Sequence, residues 1–245
     1  WAERVRAAFR RDSLLCASYN HDIADGKWNG MMTQKHIGYK IWNDDFPADK
    51  MPDVITVDAA NGGYVFEDRD GFVAIEAEHY YEAKTGGKAQ WIVIPDMGRT
   101  RSAIALMPYT EPADGSLTYR FSLKDNPPSV TVHVIVKSTL DYLNKGGLTY
   151  TVSLDGGEPQ RINFNSRLNE DKENIYSVFY PTVARRVVES VVTIPLDPSL
   201  SAHNLTLRPD NPAIVFEKVV VDAGGYKPQF LFGSESPCRR ESEAR

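Results

Sequence analysis

The 245-residue sequence has few cysteines, no excess of positive charge and no long apolar run. Its two cysteines, Cys16 and Cys238, are too few for a disulfide-rich secreted scaffold and too far apart in sequence for a zinc knuckle. A formal net charge of -5 supplies no broad positive field for binding nucleic acid. Because no run of about 20 apolar residues is present, the sequence predicts no membrane span. Neither nucleic acid nor a membrane is an expected partner.

Catalytic motifs are also missing from the sequence. There is no G-x-S-x-G nucleophile turn, no G-x-x-x-x-G-K-[ST] phosphate loop and no H-E-x-x-H zinc helix. A pair of catalytic carboxylates cannot be singled out among 33 acidic residues. We therefore assign no catalytic residue and expect no required cofactor.

The first part of the chain has the periodicity of a helix, with a charged opposite face. Its apolar positions are Trp1, Val5, Ala8, Phe9, Leu15, Cys16 and Tyr19. Gly26 is the expected stop. The helical pattern already includes the first residue, with no methionine or cap before it. We therefore expect the sequence to be part of a longer protein.

After Gly71 the apolar residues alternate with polar ones, which is typical of strands with one buried face. The predicted strands are Phe72–His79, Gln90–Ile94, Ala103–Met107, Leu117–Leu123, Val130–Val136, Leu148–Leu154, Val187–Ile194, Asn204–Leu207 and Ala213–Val221. With no helix of matching length among them, they predict a mainly β protein: an antiparallel β-sandwich of the jelly-roll type after a short helical segment. A barrel is the alternative.

These patterns divide the chain into four predicted regions. They are the end of a helical domain at 1–52, a connector at 53–70, a β-sandwich domain at 71–232 and a disordered tail at 233–245.

Two blocks of rare residues resemble one protein family. The first resembles the segment that closes the helical domain of glycoside hydrolase family 115, the xylan α-glucuronidases. It comprises Gly26-Lys27-Trp28, Met31-Met32, His36-Ile37-Gly38-Tyr39, Trp42 and Met51-Pro52. The second is similar to the family's C-terminal β-domain, which looks like a carbohydrate-binding module. It comprises Gly71 to Tyr80, His203 to Leu207 and Val219 to Gly225.

The resemblance implies that the complete enzyme removes glucuronic acid, or its 4-O-methyl form, from xylan by inverting hydrolysis. It also implies that the catalytic carboxylate lies in a barrel domain that precedes these segments. This chain is then an accessory region that supports the barrel and contacts glucuronoxylan. The expected partners are the upstream catalytic and helical domains of the same polypeptide, glucuronoxylan, and a second copy in a homodimer. Family habit suggests a secreted or periplasmic protein.

Two other functions remain open. The chain is alternatively a self-standing carbohydrate-binding module for xylan, or a purely structural or dimer-forming domain.

Large apolar side chains are concentrated between Gly26 and Trp42, among glycines and lysines. Burying each such side chain fully is worth roughly 1.5 to 3 kcal/mol, so we expect this segment to pack against a neighbouring domain. The alternative to packing alone is that some of its residues also reach the rim of the xylan cleft that the resemblance implies. These candidates for substrate contact are Trp28, His36, Tyr39 and Trp42.

Aromatic residues of the β-domain are further candidates, since aromatic rings stack on the apolar faces of sugars. They are Tyr80 and Trp91 first, and also Tyr81, Tyr109, Tyr142 and Tyr226. The alternative is that these rings fill the core or its margin.

A cation site is predicted from Glu76 and Glu78, which are two residues apart in a predicted strand and so point to one face. Carboxylate oxygens suit Ca²⁺. The Glu-Ala-Glu opening resembles that of carbohydrate-binding module families 6 and 35, where an aspartate near the domain's end completes a structural calcium site. Asp222 occupies the comparable place. The alternative is that both glutamates are solvated or paired with arginines.

Overall fold

The structure is a computed structural model that describes residues 2–33 and 62–241. The chain falls into two compact units, Trp1–Asp58 and Ala59–Arg245. Within the described part of the chain, no helix combines the length and the hydropathy needed to cross a bilayer.

The first unit begins with the predicted helix, α1, which spans Ala2–His21. A single 3-10 turn follows at Ile23–Gly26. The amide side chain of Asn20 then makes two hydrogen bonds with the backbone of Met32. Its Nδ2 donates to the carbonyl at 2.9 Å, and its Oδ1 accepts from the N–H at 3.0 Å. These bonds hold the segment after the turn against the end of α1.

The second unit is built from strands, thirteen of which lie in its described residues. They are β1 Tyr64–Glu67, β2 Phe72–Glu76, β3 Glu82–Thr85, β4 Gln90–Ile94, β5 Ala103–Met107, β6 Gly115–Ser122, β7 Ser129–Lys137, β8 Thr149–Leu154, β9 Gln160–Asn163, β10 Val187–Pro195, β11 His203–Pro209, β12 Val215–Asp222 and β13 Cys238–Arg240. A π-helical turn, Ile175–Phe179, and a short helix, α2 at Tyr180–Arg185, lie between β9 and β10.

The strands form two sheets. One has seven strands in the order β13-β1-β6-β11-β8-β9, with β3 also paired to β6. The other has six in the order β10-β7-β12-β5-β4, with β2 also paired to β12. All strand pairs are antiparallel except β1 with β6. The predicted antiparallel β-sandwich is confirmed.

The core lies between the sheets and follows the alternation seen in the sequence. In β6, Leu117, Tyr119 and Phe121 are fully buried while the residues between them are partly exposed. The same cluster includes Val132 and Val134 from β7 of the other sheet. Period-two burial of this kind gives each sheet one apolar inner face.

The central strands of the six-stranded sheet are buried on their outer face as well. Ala74, Ile135 and Val220, from three neighbouring strands, pack there with Tyr226 and Phe232. These two aromatic residues belong to the segment after β12, which therefore covers the sheet from outside. Every residue from Phe216 to Val221 is buried as a result.

The structure corrects the predicted disordered tail. Ser236 bonds to the free edge of β2: its N–H donates to the Ala74 carbonyl at 2.9 Å, and its hydroxyl accepts from the Ala74 N–H at 3.1 Å. Residues Cys238–Arg240 then form β13 beside β1. Backbone pairing at a strand edge needs no apolar periodicity, so the sequence pattern does not reveal it.

The nine predicted strands are all present, although β2 ends at Glu76 instead of His79. Four strands were not predicted, and each has only three or four residues. One of them, β1, lies inside the predicted connector.

We predict that Ser236→Ala lowers the free energy of unfolding by about 1 to 3 kcal/mol, because the buried Ala74 N–H loses its acceptor. The melting temperature should fall by about 2 to 4 °C for each kcal/mol. The matched control is Ser234→Ala, at an exposed position two residues away. Melting temperatures are measured by circular dichroism. Equal values for both variants would contradict the pairing of Ser236 with β2.

Candidate functional site

Three loops gather at one end of the sandwich and connect the two sheets. They follow β5, β7 and β11 and span 108–114, 138–148 and 210–214. Their positions follow from strand register, since Phe216 at the start of β12 lies opposite Ile104 of β5 and Val136 of β7. We call this region the loop end.

Two exposed tyrosines meet at the loop end. The rings of Tyr109 and Tyr142 have centroids 6.0 Å apart and planes at 82°. Tyr109 is 57% exposed and Tyr142 is 42% exposed. The Tyr142 hydroxyl donates a hydrogen bond to the carbonyl of Pro212 at 2.9 Å, so one ring is held by the third loop. These two side chains are called the loop-end tyrosine pair below.

Partial burial raises the pKa of the Tyr142 hydroxyl, and the neighbouring Asp141 carboxylate and Tyr109 raise it further. The hydroxyl therefore keeps its proton and remains a donor to Pro212. Asp141 also orders its loop, because its Oδ2 accepts the N–H groups of Lys145 at 3.0 Å and Gly147 at 2.8 Å.

A second polar region lies on the outer face of the six-stranded sheet. Lys218 and Glu76 form an ion pair with Nζ and Oε1 3.0 Å apart, and both side chains are only 3% exposed. The Thr100 hydroxyl donates to the same Oε1 at 2.6 Å. We call these residues, with the neighbouring Glu217 and Arg99, the outer-face charged network.

Glu217 is brought into this network by an irregularity of β12. The register with β7 shifts between Phe216 and Lys218, which makes Glu217 the extra residue of a β-bulge. Its carboxylate accepts the Arg99 N–H at 3.0 Å and lies 3.2 Å from the Lys137 ammonium. Burial raises the pKa of the Glu217 carboxyl, and the nearby cation only partly opposes this effect.

A cavity of about 370 Å³ opens beside the network. It is lined by Glu76, Thr100, Arg101, Lys218, Gln229, Leu231, Gly233, Ser234, Glu235 and Ser236. The cavity therefore lies between β2, β12 and the segment that covers the sheet.

The three predicted cation ligands are not brought together. In the ladder of β2 with β12, Lys218 lies opposite Glu76 but Asp222 lies opposite Phe72. Four residues along a strand correspond to about 13 Å, too far for one ion to bind both carboxylates. Glu78 lies beyond the end of β2, in a turn closed by the hydrogen bond from His79 N–H to the Glu76 carbonyl.

Asp222 caps a turn. Its Oδ1 accepts the N–H groups of Gly224 at 2.7 Å and Tyr226 at 3.0 Å. Across residues 2–33 and 62–241, no three His, Cys, Asp or Glu side chains converge in a way that could hold a metal ion. Binding of Ca²⁺ to this chain stays a prediction without a ligand set.

The predicted sugar-contacting residues that the structure describes differ in burial. Tyr80 is buried in the sandwich core. Trp91 is partly exposed, and its indole N–H donates to the Lys84 carbonyl at 3.0 Å. Trp28 is exposed in the first unit, under the Lys27 ammonium at 5.0 Å. The other three, His36, Tyr39 and Trp42, lie outside the described residues.

The further aromatic candidates differ in accessibility. Tyr226 is buried, and Tyr81 bonds through its hydroxyl to Glu241 at 3.1 Å. Only Tyr109 and Tyr142 of this set combine exposure with mutual contact.

Sequence reasoning missed the outer-face charged network. A signal for it exists, since Glu217 and Lys218 are adjacent charges in the otherwise apolar strand from Ile214 to Val221. Two charges in a row within a buried strand indicate a bulge or a buried pair. Nothing local indicates the partners Thr100 and Arg99, which come from a distant turn.

Comparison with known proteins finds a family match over most of the second unit. The family model described as "Glycosyl hydrolase family 115 C-terminal domain" matches residues 65–235. No curated protein gives a significant match.

Several solved structures are similar to the chain. A family GH115 4-O-methyl-α-glucuronidase, BtGH115A, with specificity for decorated arabinogalactans, is 20% identical over 88% of this chain and 24% of its own, with a TM-score of 0.48. The chain thus spans about a quarter of that protein. The carbohydrate-binding module CBM6cm-2 from Cellvibrio mixtus lichenase 5A, in complex with cellotriose, is 14% identical over 61% of this chain and 95% of its own, with a TM-score of 0.39. A family 35 carbohydrate-binding module from Clostridium thermocellum is 14% identical over 61% of this chain and 97% of its own, with a TM-score of 0.39.

We predict that Glu217→Gln stabilises the protein progressively as the pH rises above about 4.5, the ordinary pKa of glutamate. The raised pKa means that the folded state favours the proton, so the stability contributed by Glu217 is fully present below its unfolded pKa and is lost as the pH rises through its folded pKa. Glutamine cannot lose a proton and still accepts the Arg99 N–H. The measurement is the melting-temperature difference from the native chain between pH 4 and pH 8.

The matched control is Glu158→Gln, which removes one negative charge at an exposed position. The melting-temperature difference of Glu217→Gln is corrected by subtracting that of this control. If the corrected difference stays constant or falls as the pH rises, burial does not outweigh the nearby cations in setting the pKa of Glu217.

Proposed function

Because the chain belongs to glycoside hydrolase family 115, whose C-terminal domain it carries, we propose that it is an accessory region of a xylan α-glucuronidase. In this proposal the chain supports an upstream catalytic barrel and contacts glucuronoxylan through the loop-end tyrosine pair. The complete enzyme would be secreted or periplasmic, where the polymer is accessible.

The observation that carries the sugar-binding proposal is the geometry of the loop-end tyrosine pair. Sugar rings have apolar faces formed by C–H groups, and aromatic rings supply a rigid apolar surface with little conformational freedom to lose. At 82°, the Tyr109 and Tyr142 rings form two walls of a corner. One ring can stack on a pyranose while the other contacts its edge.

Charged side chains near the loop end supply hydrogen-bonding groups for such a ligand. Arg208 pairs with Asp114 at 3.5 Å, and both side chains are more than half exposed. Arg161 pairs with Asp210 at 2.9 Å. Guanidinium groups donate to hydroxyls and pair bidentately with carboxylates, so they suit a xylan that carries glucuronic acid.

We predict that Tyr109→Ala and Tyr142→Ala each weaken binding of glucuronoxylan oligosaccharides by about tenfold, which corresponds to ~1.4 kcal/mol of lost contact. The dissociation constant should be measured with the full chain by isothermal titration calorimetry. Tyr142→Phe isolates the hydroxyl, which orients the ring through Pro212. It should weaken binding less than Tyr142→Ala.

The matched control is Tyr176→Ala, because Tyr176 is 78% exposed and also contacts another tyrosine, but lies in the π-helical turn. Binding that is lost in this control and kept in Tyr109→Ala would move the sugar site away from the loop end. A native chain that binds no oligosaccharide would refute the proposal.

A second candidate, a structural role in domain packing or dimer formation, is favoured by the first unit. Leu14 and Leu15 on α1 are 66% and 61% exposed, and Met31 is 65% exposed. Exposed apolar side chains in one short region are typical of an interaction surface.

For this candidate we predict that the isolated chain self-associates and that Leu14→Glu/Leu15→Glu reduces the association. Light scattering coupled to size-exclusion chromatography over a range of concentrations measures the mass. The variant Ser13→Glu/Ala17→Glu adds the same charge at two other exposed positions of α1 and should leave association unchanged. A native chain that stays monomeric at all concentrations would argue against an exposed docking surface on α1.

A further inference from the structure

Oxygen atoms from three parts of the chain enclose the ammonium group of Lys218. Nζ lies 3.0 Å from Glu76 Oε1 and donates to the carbonyls of Gly233 at 2.8 Å and Leu231 at 3.1 Å. The Thr100 hydroxyl oxygen is a fourth acceptor, at 3.3 Å. Three N–H groups thus face four oxygens, and the amine has no donor left for solvent or ligand. We call these four oxygens the Lys218 cage.

The composition of the Lys218 cage matches that of a site for a hard cation. Carboxylate, hydroxyl and backbone carbonyl oxygens are the ligands that such ions take in proteins. A fifth oxygen, Glu76 Oε2, is buried and has no hydrogen-bond partner. In an ordinary cation site this oxygen would also face the ion.

We propose that the Lys218 cage is a cation site whose occupant is the chain's own ammonium group. Lys218 thereby acts as a covalently attached cation and does the structural task of a bound metal ion. The ligand class of the cage, once the side chain is removed, is a small monovalent cation. One carboxylate gives the cage a formal charge of -1, which a single positive charge neutralises.

The cage links β12 to β2, which already pairs with it, and also to the turn and the covering segment, which do not. Glu76 ends β2, Thr100 lies in the turn before β5, and Leu231 and Gly233 belong to the segment that covers the outer face. A positive charge at their meeting point holds all three to β12. Without it, the Glu76 carboxylate would be buried and unpaired, which is strongly unfavourable.

The bulge in β12 places the lysine where the cage needs it. Consecutive residues of a regular strand point to opposite faces. Here both Glu217 and Lys218 reach the same turn, through the Arg99 N–H at 3.0 Å and the Thr100 hydroxyl at 3.3 Å. The extra residue of the bulge permits this arrangement.

The test compares three variants of the full chain. Lys218→Ala empties the cage, Lys218→Met removes the charge but fills the volume, and Lys137→Ala is the matched control. Lys137 also pairs with a buried glutamate, Glu217, but it has one carbonyl partner, that of Met97, and is itself 28% exposed. Melting temperatures are measured in ammonium chloride and in choline chloride at equal ionic strength, since choline is too large for the cage.

We expect Lys218→Ala to melt on the order of 10 °C below the native chain in choline chloride, the loss typical of a broken buried ion pair. Ammonium should restore several degrees in a concentration-dependent way. Lys218→Met should melt below the native chain in both salts. The melting temperature of the native chain should not differ between the two salts, and neither should that of Lys137→Ala. A Lys218→Ala variant that does not distinguish the salts would overturn the proposal.

Two further measurements apply even if Lys218→Ala does not fold. The double variant Glu76→Gln/Lys218→Met removes both charges and should melt higher than Lys218→Met alone, because the carboxylate is no longer unpaired. If the double variant instead loses as much melting temperature as the two single variants together, Lys218 is not the counter-ion of Glu76. Stabilisation of the native chain by CaCl₂, at constant ionic strength and abolished by Glu76→Gln, would equally refute it, since the cage would then take an external ion.

Discussion

Burial of the central strands of the six-stranded sheet on both faces is the constraint that organises the rest of the second unit. The segment after β12 packs Tyr226 and Phe232 over Ala74 and Val220, and every residue from Phe216 to Val221 is buried. Polar groups in such a position must be satisfied inside the protein. The ion pair of Lys218 with Glu76, and the contacts of Glu217, are the consequence.

The regular strands and the helix are predictable from sequence because their burial is periodic. The alternation from Leu117 to Phe121 predicts which side chains face the core, and the burial pattern of β6 confirms it. Short pieces such as β1 and β13 escape prediction, since three or four residues carry too little pattern and their stability comes from backbone pairing with a partner far away in sequence. The same reason explains why the chain after Gly233 looks unstructured when read by itself.

The candidate sites are harder to predict than the strands. Sequence reasoning includes Tyr109 and Tyr142 among six aromatic candidates, but nothing in the sequence connects two loops that are joined only through strand register. The cation prediction extends β2 to His79 and groups Asp222 with Glu76 and Glu78. In the structure β2 ends at Glu76, and the ladder with β12 sets Lys218 opposite Glu76. A one-dimensional pattern identifies the types of residue in a site, whereas register decides which of them meet.

The first and last strands in the described part of the second unit are neighbours, and this has a mechanical consequence. Because β1 and β13 run antiparallel with Tyr64 opposite Arg240, the chain enters and leaves the sandwich at the same point. A load applied between the two ends would open this three-pair ladder one rung at a time instead of shearing all its bonds together. Tension transmitted through the polypeptide would therefore peel β13 away first and expose the edge of β1 while the sheets behind it stay closed.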